Sequence, residues 1–223
     1  MSFTEELNQL RTQVRQQTPS DMQQSLDQSV ADLRTSGLAA KAIAVGNKAP
    51  DFTLKDATGK VVSLTALLKK GPVVLNFYRG GWCPYCNLEL HALQRSMPSF
   101  TALAAQLVAI SPESPDNSLS TAQKHKLAFP VLSDPESKVA RQYGIVYTVP
   151  EYLKPVFEKF GLDLKAHNAT ENLQLPIPAT YVIDTQQVVR FVFASEDFTV
   201  RADVAEMIKV LEKLKNTSPI PNR

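Results

Sequence analysis

Two cysteines occur in the 223 residues, and they stand three apart in Cys83-Pro84-Tyr85-Cys86. A thiol attacks a disulfide or a peroxide as its anion, and an unperturbed cysteine titrates at about 8.5, so it needs help at neutral pH. A helix N-terminus gives that help through unpaired N–H groups and the positive end of the helix dipole. Three-residue spacing sets both sulfurs on one side of the first helical turn, within reach of a disulfide. Pro84 suits that turn, having no N–H to leave unpaired. Gly80-Gly81 lets the chain bend sharply just before it, and Trp82 can shield one flank. A pair cycling between dithiol and disulfide is the expected chemistry.

Other uses of two cysteines fit less well. A structural zinc takes four protein ligands. Beyond the pair there are His91, on the same expected helix, and His125 and His167, isolated in sequence. No second pair at finger-like spacing completes a site, so neither metal nor cofactor is expected. Two buried structural thiols beside Trp82 are the plain alternative.

The elements around the pair place it at a strand-to-helix junction. Val73-Val74-Leu75-Asn76-Phe77-Tyr78 is the nearly continuous apolar run of a strand buried on both faces, and a helix is expected from about Pro84 to Ser96. Leu107–Ile110, Pro130–Ser133, Thr180–Ile183 and Val188–Phe193 read as further strands, the last two joined by a tight turn at 184–187. Helices are expected at Ser118–Leu127, Glu136–Tyr143 and Ala202–Lys215. This order is α/β with a central mixed sheet flanked by helices, and the C-terminal ends of its parallel strands are the natural site edge. Two amphipathic helices precede it. Ser2 with Glu5 has capping-box spacing, and Thr18 with Pro19 reads as N-cap and first position of the second helix, which Gly37 closes. The connection from Gly144 to Ile177 is unusually long, with a helical candidate at Pro150–Phe160.

Composition excludes several classes. With 24 basic and 22 acidic side chains the net charge is +2, leaving no basic field for nucleic acid. The apolar stretches fall short of the roughly 20 residues that span a bilayer. Two cysteines cannot staple a secreted scaffold, and Glu5, Glu6, Arg11 and Arg15 interrupt the N-terminus too often for a signal peptide. A cytoplasmic location is expected.

Residues from about 46 to 215 resemble peroxiredoxin-like proteins of the alkyl hydroperoxide reductase / thiol-specific antioxidant group. The matching segments are Ala49–Leu54, Phe77–Cys86 with Glu89, Ser133-Asp134-Pro135 before Tyr143-Gly144, and Pro178–Asp184. The resemblance implies a thioredoxin-like fold over 46–223, with residues 1–45 as a helical extension and about 145–175 as an insertion. Peroxiredoxins carry Pro-x-x-x-Thr-x-x-Cys around their attacking cysteine, which falls here on Cys86, with Cys83 in place of the Thr and Arg79 in place of the Pro. Their second arginine belongs near the Thr180 strand, where this chain has Pro178. Thioredoxins set a cis-proline beside their Cys-x-x-Cys, and Ile177-Pro178-Ala179-Thr180 resembles that element. A cis Pro178 would bare the Ile177 backbone for an extended substrate.

The resemblance implies a thiol peroxidase acting on hydrogen peroxide or alkyl hydroperoxides. Cys86 attacks the peroxide, Cys83 resolves the sulfenic acid, and a thioredoxin- or glutathione-type thiol restores both. Arg79, Trp82, Tyr78, Glu89 and Pro178 support the pair. Two other readings stay open: a disulfide oxidoreductase with Cys83 as nucleophile, and a redox-responsive interaction protein using the N-terminal helices. A homodimer through those helices is a further expectation.

Overall fold

The computed structural model describes residues 2–217. Its N-terminal helices are α1 (Phe3–Gln17) and α2 (Ser20–Ser36). The Ser2–Glu5 capping box forms, and Gly37 closes α2 in the left-handed conformation. The junction between them differs from expectation. Thr18 is the C-cap of α1, its hydroxyl donating to the Val14 carbonyl, and α2 starts one residue later than expected, with Pro19 at the N-cap position and no side-chain cap.

Then follow β1 (Thr53–Asp56), β2 (Val61–Ser63), α3 (Leu64–Leu68), β3 (Val73–Phe77), α4 (Pro84–Arg95), α5 (Met97–Ala102), β4 (Gln106–Ser111), α6 (Pro115–Lys124), β5 (Val131–Ser133) and α7 (Lys138–Gln142). The long connection holds β6 (Val146–Thr148), α8 (Lys154–Lys159), α9 (Leu164–Asn168) and β7 (Gln174–Pro176). The chain ends with β8 (Ala179–Ile183), β9 (Val189–Ala194) and α10 (Val204–Thr217). Residues 218–223 of the unit expected over 46–223 lie outside the described residues. The β6–β7 hairpin escaped the sequence because its strands are three residues long and 25 residues of other structure separate them.

Seven strands form one mixed sheet in the order β2-β1-β5-β4-β3-β8-β9, with β3, β4 and β5 parallel and the rest antiparallel to their neighbours. Strand alternation splits the core in two. Val73, Leu75 and Phe77 of β3 pack with Tyr143 and Tyr181 on one face, while Val74 and Tyr78 pack with α4, α5, α10 and Leu7 of α1 on the other. Each such side chain contributes about 1.5–3 kcal/mol by leaving water. A third apolar cluster joins Met22 of α2 to Leu153, Phe157 and Leu175 of the long connection. The N-terminal helices thus spend their apolar faces on their own chain. Among the described residues no helix is long and apolar enough to cross a membrane.

Candidate active site

The topology gathers one edge of the sheet into a site. β3 and β4 run parallel and end there, delivering Arg79 and Glu113 just past their last residues. β8 runs the opposite way, so it begins there with Thr180, and β9 returns to the same edge before the loop that carries Arg201. Cys83 is the N-cap of α4 and Pro84 its first residue, as the spacing predicts. Gly81 is required by contact: an added Cβ would lie 2.1 Å from the Thr121 hydroxyl, and its N–H donates to Glu113 at 2.9 Å.

Both thiols are free and buried, Cys83 at 1% and Cys86 at 0% exposure. Arg201, fully buried, is fixed by four bonds. Its Nε donates to Glu89 at 2.7 Å, its Nη1 to the carbonyls of Phe198 and Val200, and its Nη2 to the Sγ of Cys86 at 3.0 Å. Behind Glu89 the chain of bonds continues: the Thr180 hydroxyl donates to Glu89, and Asn76 donates to Thr180. Burial raises the Glu89 carboxyl to about 7 despite Arg201 beside it.

Arg79 lies buried between the Trp82 and Phe198 rings, 4.8 and 4.7 Å from their centroids, and its Nε has no partner. Two buried guanidinium groups therefore face the sulfurs, and one carboxylate, Glu89, is paired with Arg201. A thiolate supplies the missing negative charge. Burial pushes the Cys83 thiol up, but the hydrogen bond from Cys86 and the charges of Arg79 and Arg201 outweigh it and hold Cys83 at about 5. Burial, the bond to Cys83 and the Cys83 charge push Cys86 well above its ordinary range.

Of the other residues singled out in the sequence, Glu89 lies behind Arg201 and Trp82 packs against Phe157 with ring centroids 6.0 Å apart. Tyr78 is buried in the cluster with both cysteines, its hydroxyl without a hydrogen-bond partner. Pro178 departs from expectation. No peptide bond among the described residues is cis, and Pro178 instead leads straight into β8, its carbonyl accepting from Ser195. The Ile177 N–H is taken by the Ile145 carbonyl at 2.8 Å and the residue is 1% exposed, so the platform expected for an extended substrate does not form. The reason is the β6–β7 segment, whose entry residue Ile145 occupies that edge.

Cys83 opens onto a cavity of about 350 Å³ walled by Val14 of α1, Leu26 of α2, Phe157 of α8 and Phe198. His167 of α9 also lines it. Its Nδ1 lies 3.5 Å from Glu113, and its carbonyl accepts from the Ser114 N–H and the Asn117 side chain. His125, isolated in sequence, is bonded to His91 at 2.7 Å.

Sequence reasoning missed Arg201, Glu113 and His167. Arg201 carries no local signal, standing 115 residues from the sulfur it touches. Glu113 could have been found, since it follows a parallel strand at the edge where sites form.

Comparison with known proteins identifies the family of the chain. Residues 45–192 match the model of the AhpC/TSA family. The chain is 34% identical to the chloroplastic peroxiredoxin Q of Sedum lineare over 83% of this chain and 86% of that protein. It superimposes on peroxidoxin BcpB of Mycobacterium tuberculosis with a TM-score of 0.61 and 25% identity, covering 77% of this chain and 98% of that one. Xanthomonas campestris peroxiredoxin Q shares the fold, with a TM-score of 0.55 and 20% identity over 74% of this chain and 90% of that one.

Proposed function

The chain belongs to the AhpC/TSA family and is a thiol-dependent peroxidase, and from that premise we propose that its cycle runs through Cys83 and Cys86 with Cys83 attacking first. The observation that carries this order is that Cys83 is the sulfur lining the cavity, while Cys86 lies beneath it. It reverses the order that the family resemblance implies.

The Cys83 thiolate attacks one peroxide oxygen and becomes a sulfenic acid, and the peroxide leaves as an alcohol or water. That step removes the negative charge from Cys83. The like charge and the hydrogen bond that hold Cys86 protonated disappear with it, while the Arg201 donor at 3.0 Å remains. Cys86 then attacks the sulfenic sulfur and water leaves as the disulfide forms. A second reading, with Cys86 attacking first, draws on that same Arg201 contact.

Trapping separates the two. Reduced Cys86→Ser and Cys83→Ser chains are treated with one equivalent of hydrogen peroxide and a dimedone probe, then mapped by mass spectrometry. Labelling at Cys83 in Cys86→Ser, with none in Cys83→Ser, is the expected result. The reverse pattern would establish Cys86 as the attacker.

The substrate is hydrogen peroxide or an alkyl hydroperoxide, and the reductant a thioredoxin- or glutathione-type thiol. That cycle suits a reducing compartment such as the cytoplasm, although the Sedum lineare relative is chloroplastic. The N-terminal helices and the 145–175 insertion act as walls added to the redoxin frame. A homodimer would use the outer faces of those helices, since their apolar stripes are already packed.

A further inference from the structure

Breaking an O–O bond leaves an alkoxide or hydroxide, and both arginines at the site are committed to charge rather than proton supply. Of the titratable side chains that share the cavity with Cys83, Tyr85 packs its ring against Phe198, while His167 alone has a carboxylate behind its imidazole, Glu113. We propose that His167, held by Glu113, is a catalytic residue of the peroxidase cycle and protonates the oxygen that leaves. The proposal rests on the cycle with Cys83 as attacker and extends it.

The geometry fixes the imidazole for that task. Its Nδ1 is buried and faces Glu113 at 3.5 Å, while the side chain as a whole is one-third exposed, which leaves Nε2, on the edge away from the carboxylate, as the nitrogen for the substrate. The residue cannot drift, because its carbonyl accepts from both Ser114 and Asn117, the first turn of α6. Glu113 is itself anchored, its other oxygen accepting from the Gly81 N–H two residues before Cys83. One carboxylate thus ties the histidine to the loop that carries the nucleophile. A carboxylate behind a histidine orients the ring.

The protons balance through the whole cycle. Cys83 gives its proton to water, since Arg79 and Arg201 hold it as the thiolate, and His167 enters the step carrying one proton taken from water. Sulfur donates an electron pair to one peroxide oxygen, the S–O bond forms and the O–O bond breaks. The departing oxygen takes the Nε2 proton and leaves as an alcohol or water. Cys86 then displaces the sulfenic hydroxyl, its own proton leaving with that oxygen as water. Two external thiols reduce the disulfide and return the chain to its dithiol form.

The leaving group decides the test. The alkoxide from tert-butyl hydroperoxide needs a proton badly, whereas the carboxylate released by 3-chloroperbenzoic acid needs none. Oxidation of the reduced full chain is followed by stopped-flow fluorescence of Trp82, the single tryptophan. His167→Gln is expected to slow the alkyl hydroperoxide reaction by about 100-fold and to leave the peracid reaction unchanged. Equal slowing with both reagents, or none with either, would overturn the role of His167. A wild-type chain that neither reagent oxidises would instead overturn the peroxidase cycle on which the role depends.

Discussion

Arg201 holds Cys86 and Glu89 at once, with Nη2 3.0 Å from the sulfur and Nε 2.7 Å from the carboxylate. Its side chain is fully buried, so its charge is little screened by water. Substituting Arg201→Met should therefore act on resolution more than on attack. The Cys83 sulfenic acid is expected to persist about 10- to 100-fold longer, measured as dimedone capture against delay time. The uncompensated Glu89 should also lower stability by about 3–5 kcal/mol, visible in urea unfolding.

Arg79 lies closer to the opposite end of the pair. Arg79→Leu keeps an apolar filling between Trp82 and Phe198 but removes the charge. The titration of Cys83, followed by thiolate absorbance, should rise from about 5 by about 1–3 pH units, the usual reach of one opposite charge. No movement would remove Arg79 from the activation of the thiol.

The two shifted acids give opposite dependences on pH. Cys83 titrates lower in the folded chain than when unfolded, so the fold releases its proton first and stability rises with pH up to about 8.5. Glu89 titrates higher when folded, at about 7, so it costs stability as pH climbs from about 4.3 to 7. Between pH 7 and 8.5 the thiol acts alone of these two. Reduced wild type should gain about 2 kcal/mol over that window, relative to the Cys83→Ser/Cys86→Ser double variant. Matched pH profiles for the two proteins would show that no thiolate is buried here.

Gly81 meets Thr121 across the approach to α4. Gly81→Ala places a methyl group 2.1 Å from the Thr121 hydroxyl and should destabilise by about 1–3 kcal/mol. Thr121→Ala in the same chain should restore most of that loss, which thermal unfolding of the four members of the cycle would measure.

The frame of the fold was legible because its signals are local. The apolar run of β3 and the Cys-Pro start of α4 fix the strand-to-helix junction, and Gly37 marks the end of α2. What failed depended on partners far along the chain. Thr18 had two helices to cap and the Val14 carbonyl won. Pro178 reads as a cis-proline baring the Ile177 backbone until Ile145 is seen paired to Ile177. Of the site, the sulfurs, Arg79, Trp82 and Glu89 lie within eleven residues and could be found together. Arg201 and His167 reach the site from loops, and neither a period nor a spacing announces them.

The cavity over Cys83 has a floor and walls of different origin. Its floor, from residues 79–86, and the wall with Phe157 lie inside the span matched to the family, while the facing wall, Val14 and Leu26, comes from the helices before that span begins. Under the proposed cycle, one wall of the cavity can therefore vary apart from the sulfurs and arginines. Sequence drift in the first two helices can retune which peroxide enters without disturbing a single group that handles electrons.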